Sequence, residues 1–306
     1  MSAPVTITHS TRAGRITLAL AIVVVCVLAA APLVASSAHL SLMVQIFAYL
    51  ALATLWNLLA GFSGLVSVGQ QAFVGIGGYA LFGLTIFGEL PPLAALLLAG
   101  VIGGVVALPV AGLLFRLRGA YFAIGSWVAA EVFRLLASQI SALGGGSGTS
   151  LPARIVTGIA SSRAWREYVI YWTGLAIAVL VIGLTVWLLR SRFGLALRAI
   201  HYNETAARAS GVDVTRVKLI VYVLAGFGTA MVGALIFLQK LRISPDAAFS
   251  VNDWTAFVIF MAVIGGIGRI EGPIIGCLIF FVLRETLADK GTLYLLMLGL
   301  VAIIIM

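Results

Sequence analysis

From Ile16 onward the chain is a succession of apolar runs, most of them about as long as a bilayer is thick, with charge confined mainly to the joints. Hydrophobic residues make up 62% of the chain and charged residues 9%, whereas a soluble domain carries about 25% charged residues. The solvent of this chain is therefore lipid. In lipid, each backbone N–H and C=O must be satisfied within the protein. Long runs without period-two alternation then select helices over a barrel. A span needs roughly 20 residues, which caps the chain at about a dozen.

Ten runs can be marked. Residues 16–34 follow Arg12 and Arg15 and read as an uncleaved first span, because signal-peptide cores run to about 7–15 residues. The next six are 40–60, 72–88, 92–115, 119–143, 168–189 and 217–238. Runs 254–268 and 273–288 are shorter and read either as crossings or as half-helices. The tenth, 292–306, stays apolar to its last residue and reads as an incomplete tail. With the N-terminus inside, eleven basic residues fall in cytoplasmic joints (Arg12, Arg15, Arg116, Arg118, Arg190, Arg192, Arg198, Arg208, Arg216, Lys218 and Arg269). Six fall outside, and Arg134 and Arg284 lie within spans. Cytoplasmic loops carry the excess of Lys and Arg. The expectation is an all-α polytopic membrane protein of about ten transmembrane helices, including broken or re-entrant segments, with a cytoplasmic N-terminus. It forms a single transmembrane domain over residues 1–306, with a cytoplasmic tail (1–15) and a cytoplasmic loop (190–216).

Several chemistries find no residues here. Cys26 and Cys277 each sit mid-run, outside any metal spacing, and read as core thiols. The three histidines are scattered, so no metal ligand is assigned. A phosphate-binding loop needs Gly-Lys-[Ser/Thr], and the three lysines follow Val217, Gln239 and Asp289. No catalytic constellation is present, so the chain is not expected to be an enzyme. The net charge of +9 belongs to the inner face of a membrane protein, and no nucleic-acid partner is expected.

Two stretches stand out. The first holds seven glycines between Gly61 and Gly83, interleaved with Ser63, Ser67, Gln70 and Gln71. Glycine at that density disfavours one regular helix, and irregular backbone at membrane depth is tolerated only against protein or a water-filled cavity. The stretch reads either as a broken helix lining a solute pathway, through Gly61, Ser63, Gly64, Ser67, Gln70 and Gln71, or as close helix packing through small residues. Gly268, Gly272 and Gly276 pose the same choice, with packing favoured. Two intramembrane charge pairs, Glu131 with Arg134 and Arg284 with Glu285, read either as structural pairs or as solute contacts.

The second stretch, 190–218, is the longest that cannot lie in lipid. Within it, Asn203 can cap a short helix, Glu204 suits its positive end, Gly211 can end it and Asp213 can cap the next. The result is a two-turn helix with a small face of Ala206, Ala207 and Ser210, open to another protein; the plainer alternative is an ordinary basic loop.

The motifs resemble those of the M-type permease subunit of bacterial branched-chain amino acid (leucine/isoleucine/valine-type) ABC importers, over residues 51–306. The marks are Asn57-Leu-Leu-Ala-Gly61-Phe-Ser-Gly64-Leu-Val-Ser67-Val-Gly69, Phe73-x-Gly75-Ile-Gly77-Gly-Tyr79 and Leu117-Arg118-Gly119-Ala-Tyr121. Glu131-Val-Phe-Arg134 and Gly265-Gly266-x-Gly268-x-x-x-Gly272-Pro273 belong with them. Arg198-Ala-Ile-x-x-Asn203-Glu204-x-Ala206-Ala207-x-x-x-Gly211 is similar to the importer coupling motif, with Thr205 where the general pattern has Glu and without its Ile-x-Leu-Pro end. Gln70 stands where the family commonly has His.

The resemblance implies a permease subunit that couples to an ATPase through Glu204, Thr205, Ala206, Ala207, Ser210 and Gly211. It also implies a homologous H-type permease, two cytoplasmic ATPases carrying the ATP and Mg, a periplasmic binding protein, and a lipid environment in the bacterial inner membrane. No cofactor is expected in this chain. The competing readings are an ion- or proton-coupled secondary transporter of a small polar solute, a related ABC permease for urea, and a structural membrane subunit without a pathway.

Overall fold

The computed structural model describes residues 12–160, 162–287 and 299–300. Its helices are α1 (Arg12–Ala30), α2 (Ser37–Asn57), α3 (Gln70–Ile86), α4 (Pro92–Leu114), α5 (Ala120–Ser138), α6 (Ala153–Ile159) and α7 (Arg163–Arg190). They continue with α8 (Arg192–Tyr202), α9 (Glu204–Ala209), α10 (Val214–Lys240), α11 (Pro245–Ala248), α12 (Phe257–Gly265) and α13 (Gly272–Leu287). A two-residue pair, β1 (Thr149–Ser150) against β2 (Arg242–Ile243), is antiparallel.

The chain is an all-α polytopic membrane protein. Among the described residues, six helical segments have the length and hydropathy to cross a bilayer: Ser37–Phe62, Pro92–Leu114, Ala120–Ser138, Arg163–Arg190, Val214–Lys240 and Pro245–Gly265. The first, third and ninth expected runs form α1, α3 and α13, while most of the tenth run and most of the 1–15 tail lie outside the described residues. The eighth run is longer than expected. Ser244 caps it by accepting from Ala247 N, Pro245 opens it, and a wide turn at Asn252–Ala256 carries it into α12 as one 21-residue segment. Cys277 is buried, but Cys26 is exposed, because the rest of the chain leaves that face of α1 uncovered.

Side-chain acceptors open five of the described helices. Ser162, Ser191, Asn203, Asp213 and Ser244 each accept a hydrogen bond from the first turn of the helix they precede. By contrast, α2, α3, α4 and α5 begin without a side-chain cap.

α10 is the hub, packed against α2, α3, α4 and α7. Small residues allow the approach. A Cβ on Gly77 of α3 would fall on the Ala230 carbonyl of α10, and one on Gly103 of α4 would strike the Ala230 side chain. Gly276 packs in the same way on the Met261 carbonyl, joining α13 to α12, so here the glycine spacing serves packing.

Hydrogen bonds and ion pairs divide the joints between two ends. Asn57 bonds to Gly268 and Arg269 at one end, where α7, α8, α9 and α10 also meet. At the other, Arg154 pairs with Glu89, Arg134 with Asp246, and β1 with β2. The joints counted as cytoplasmic from their charge thus share one end with α9.

Candidate functional site

α9 is held at both ends by its own sequence. Asn203 Oδ1 accepts from Ala206 N at 3.0 Å, and Ser210 N returns to Ala206 O at 3.0 Å. Gly211 then turns the chain at φ +85°, a left-handed conformation that costs a residue with a Cβ about 1–2 kcal/mol. Asp213 Oδ1 accepts from Arg216 N at 3.0 Å to start α10. The Glu204 carboxylate takes Arg208 Nη2 at 2.9 Å on one oxygen and Lys218 Nζ at 2.7 Å on the other. Hydrogen bonds from Lys218 first and Arg208 second hold its carboxyl below the usual range, against the opposing effect of burial.

One side chain points differently from expectation. Ala207 is 3% exposed and packs in a core cluster with Leu197, Val214 and Val217, so it anchors α9 to the bundle. The outward surface is formed by Thr205, Ala206, Ala209, Ser210 and Gly211, all exposed. The joint also holds a helix that had no counterpart in the sequence reading. α8 places Gly194, Leu197 and Ile200 inward at three-residue spacing and leaves Arg192, Arg198 and His201 outside. That spacing is the signal that could have revealed it.

The glycine stretch is a broken helix. α2 widens into a five-residue turn, Leu58–Phe62, and Gly64 reverses the chain at φ +70°. Residues 64–69 run without regular structure until α3 opens at Gln70. Protein groups satisfy this backbone: Leu65 N donates to Leu59 O at 2.9 Å, Val68 N to Ser126 Oγ at 2.9 Å, and Trp56 Nε1 to Ser67 O at 2.8 Å. The polar side chains are turned into the bundle. Ser63 Oγ donates to Leu59 O at 2.6 Å, Ser67 Oγ accepts from Gly69 N at 3.2 Å, and Gln70 Nε2 donates to Leu52 O at 3.0 Å. Gln71 Oε1 accepts from Thr255 Oγ1. Gly61 lies flat against Gly268. Gly64 has open space on its Cβ side.

The two stretches, 140 residues apart in sequence, converge. Gly64 and Leu65 from the break, Arg118 from the α4–α5 joint, and Glu204, Arg208 and Lys218 line one cavity of about 490 Å³. Arg118 forms no ion pair among the described residues, so three cations face one carboxylate there. Lys218, the partner of Glu204, belongs to α10, so an ion pair beside this cavity ties α9 to the hub helix. Asn57, Arg118 and Lys218 were not singled out as site residues in the sequence reading; the first two lie within the motifs that carried the resemblance.

The intramembrane charges are resolved unevenly. Arg134 bonds to Glu131 at 2.6 Å and also to Asp246 at 2.8 Å, tying α5 to α11. Arg284 does not pair with Glu285; its Nη1 lies 3.5 Å from Gln45 Oε1.

The sequence pattern of the family described as "Branched-chain amino acid transport system / permease component" matches residues 38–306. The high-affinity branched-chain amino acid transport system permease protein LivM of Salmonella typhimurium is 27% identical over 297 residues, covering 90% of this chain and 69% of the relative. LivM of Escherichia coli is 29% identical, covering 82% of this chain and 64% of the relative. The chain thus spans about two thirds of the length of these relatives. The ribose import permease protein RbsC of Bacillus subtilis is 37% identical over a shorter 121 residues, 38% of each chain. No solved structure matches.

Proposed function

This chain belongs to the family of permease components of branched-chain amino acid transport systems, and on that premise we propose that it forms half of the translocation pathway of an ATP-driven importer. Its cargo is a branched-chain amino acid, and its place is the bacterial inner membrane with the α9 end in the cytoplasm. The basic excess at that end supports the orientation. Similarity to LivM over most of the chain, and to a LivH protein of Methanocaldococcus jannaschii over 110 residues, supports pairing with an H-type permease. Two ATPases supply ATP hydrolysis and a periplasmic binding protein delivers cargo.

The observation that carries the coupling role is α9 itself. It is short, capped at both ends, exposed through Thr205, Ala206 and Ala209, and anchored by Ala207 and the Glu204–Lys218 pair. Such a helix docks in a groove of an ATPase and moves with it. Closure of the ATPase pair pushes α9, Lys218 passes the displacement to α10, and α10 shifts against α3 and α4. Alternating access requires two bundle arrangements that the ATPases bias.

Cysteines placed one at a time at Thr205 and Ala206 in the assembled transporter test this. Cross-linking to an ATPase subunit, with loss of ATP-driven leucine uptake after cross-linking, is expected. Labelling of these positions from the periplasmic side, or uptake driven by an ion gradient without ATPases, would overturn the assignment.

A further inference from the structure

A second pocket, of about 310 Å³, lies at the other end of α10. Lys240 ends that 27-residue helix, which places the pocket about 40 Å from α9. Its floor is apolar and aromatic: Ala48, Tyr49 and Trp254 are buried, and Ile236 is 5% exposed. Around that floor stand Asp253 and the cations Lys240 and Arg284. Among the described residues, these three charges form no ion pair with one another or with any other group, although they line one pocket. Lys240 Nζ instead rests 4.9 Å from the centre of the Trp254 ring, and Arg284 Nη1 lies 3.5 Å from Gln45 Oε1. Gln239 Nε2 donates to Ser41 Oγ at 3.0 Å and Ser41 O at 3.1 Å, closing one wall.

Lys240 and Arg284 are exposed and Asp253 is half-buried, and charges of both signs beside aromatic groups are the complement of a small molecule that carries both charges and an apolar tail. An anion would use only the two cations, and an apolar solute would leave all three charges without a partner. We infer that this pocket is a recognition site for a zwitterionic α-amino acid with an apolar side chain. The carboxylate faces Arg284 and Lys240, the ammonium faces Asp253, and the side chain lies on Tyr49, Ile236 and Trp254. The volume admits an amino acid of that size. The inference rests on the transport reading for the solute's class and adds where this chain itself inspects it.

The test uses the assembled transporter without its binding protein, carrying Ser41→Cys as a reporter on the pocket wall. The alkylation rate of that cysteine is measured against leucine, 4-methylpentanoate (no ammonium) and isopentylamine (no carboxylate). Leucine is expected to slow alkylation, and each analogue to need a concentration about tenfold higher or more, since each leaves a charge unpartnered. Asp253→Asn should remove the preference for leucine over 4-methylpentanoate, and Arg284→Gln the preference over isopentylamine. Asp253→Glu and Arg284→Lys, which keep the charges, should retain both preferences, separating recognition from folding.

Equal protection by all three compounds, no protection by leucine, or unchanged preferences in both neutral variants would overturn the inference. ATP-driven leucine uptake by the same complex with its binding protein is measured in parallel. Uptake without protection sinks this site alone, and absence of uptake sinks the transport reading.

Discussion

Asn57 Oδ1 accepts from Gly268 N at 2.8 Å while its Nδ2 donates to Arg269 O at 2.8 Å, so one amide closes both exposed backbone groups of a turn 211 residues away. The side chain is 2% exposed, and it fastens the exit of α2 to the joint between α12 and α13. Asn57→Leu keeps the size and strands both backbone groups, at a cost of about 1–3 kcal/mol. The melting temperature of the assembled transporter should fall by several degrees. Asn57→Asp, which sets a buried carboxylate oxygen against the Arg269 carbonyl, should fall at least as far. Equal melting of Asn57→Leu and the unaltered protein would show that the turn holds without this amide.

The Glu204 pair sets a pH dependence with a definite sign. Because its carboxyl is held below the usual range by Lys218 and Arg208, its contribution is fully present above the unfolded value of about 4.3. It is lost as pH falls through the lower folded value. A spin label at Thr205→Cys should therefore report a fixed α9 from pH 6 to 8 and a more mobile one below about pH 4. In Glu204→Gln the label should be more mobile at every pH, with a loss of about 0.2–1 kcal/mol as for a partly exposed pair. Identical mobility in both proteins across that range would remove the pair from the anchoring of α9.

Ala206 and Ala207 are neighbours with opposite surroundings, exposed and buried respectively. Ala207→Trp should overpack the cluster of Leu197, Val214 and Val217 and lower the yield of folded transporter. Ala206→Trp should leave yield unchanged and reduce the association of the ATPase by at least tenfold, read by co-purification. Equal ATPase association in Ala206→Trp and the unaltered protein would remove the docking face.

Gly64 and Gly77 separate conformation from packing within the same glycine-rich stretch. A Cβ on Gly64 meets open space but sits at φ +70°, a cost of about 1–2 kcal/mol. A Cβ on Gly77 falls on the Ala230 carbonyl of the hub helix, which cannot move without shifting α10. Gly64→Ala should assemble and lose much of its uptake, because the break borders the cavity shared with α9. Gly77→Ala should lose folded complex and uptake together. Parallel loss of both in Gly64→Ala would make the break a packing device only.

What the sequence determined by itself was whatever is decided locally. Lipid forces each span to satisfy its own backbone, so apolar runs mark the long helices directly: α1, α2, α3, α4, α5, α7, α10 and α13. A side-chain acceptor and a glycine are local signals, so Asn203 and Gly211 wrote the ends of α9 in advance and Asp213 the start of α10. Tertiary structure decided which way each side chain faces and which distant stretches share a space. Ala207 looks the same as Ala206 in sequence, and only the packing of α8 and α10 turns it inward. Tertiary structure also turns the polar side chains of the glycine stretch into the bundle, where Ser63, Gln70 and Gln71 bond to Leu59, Leu52 and Thr255 while Gln70 Oε1 is buried without a partner. Gly64 shares a cavity with Glu204, and Asn57 bonds to Gly268, because α10 and α13 bring those joints to one end. That convergence depends on small residues admitting close helix contacts at many points at once, a property of the whole bundle that no single stretch encodes.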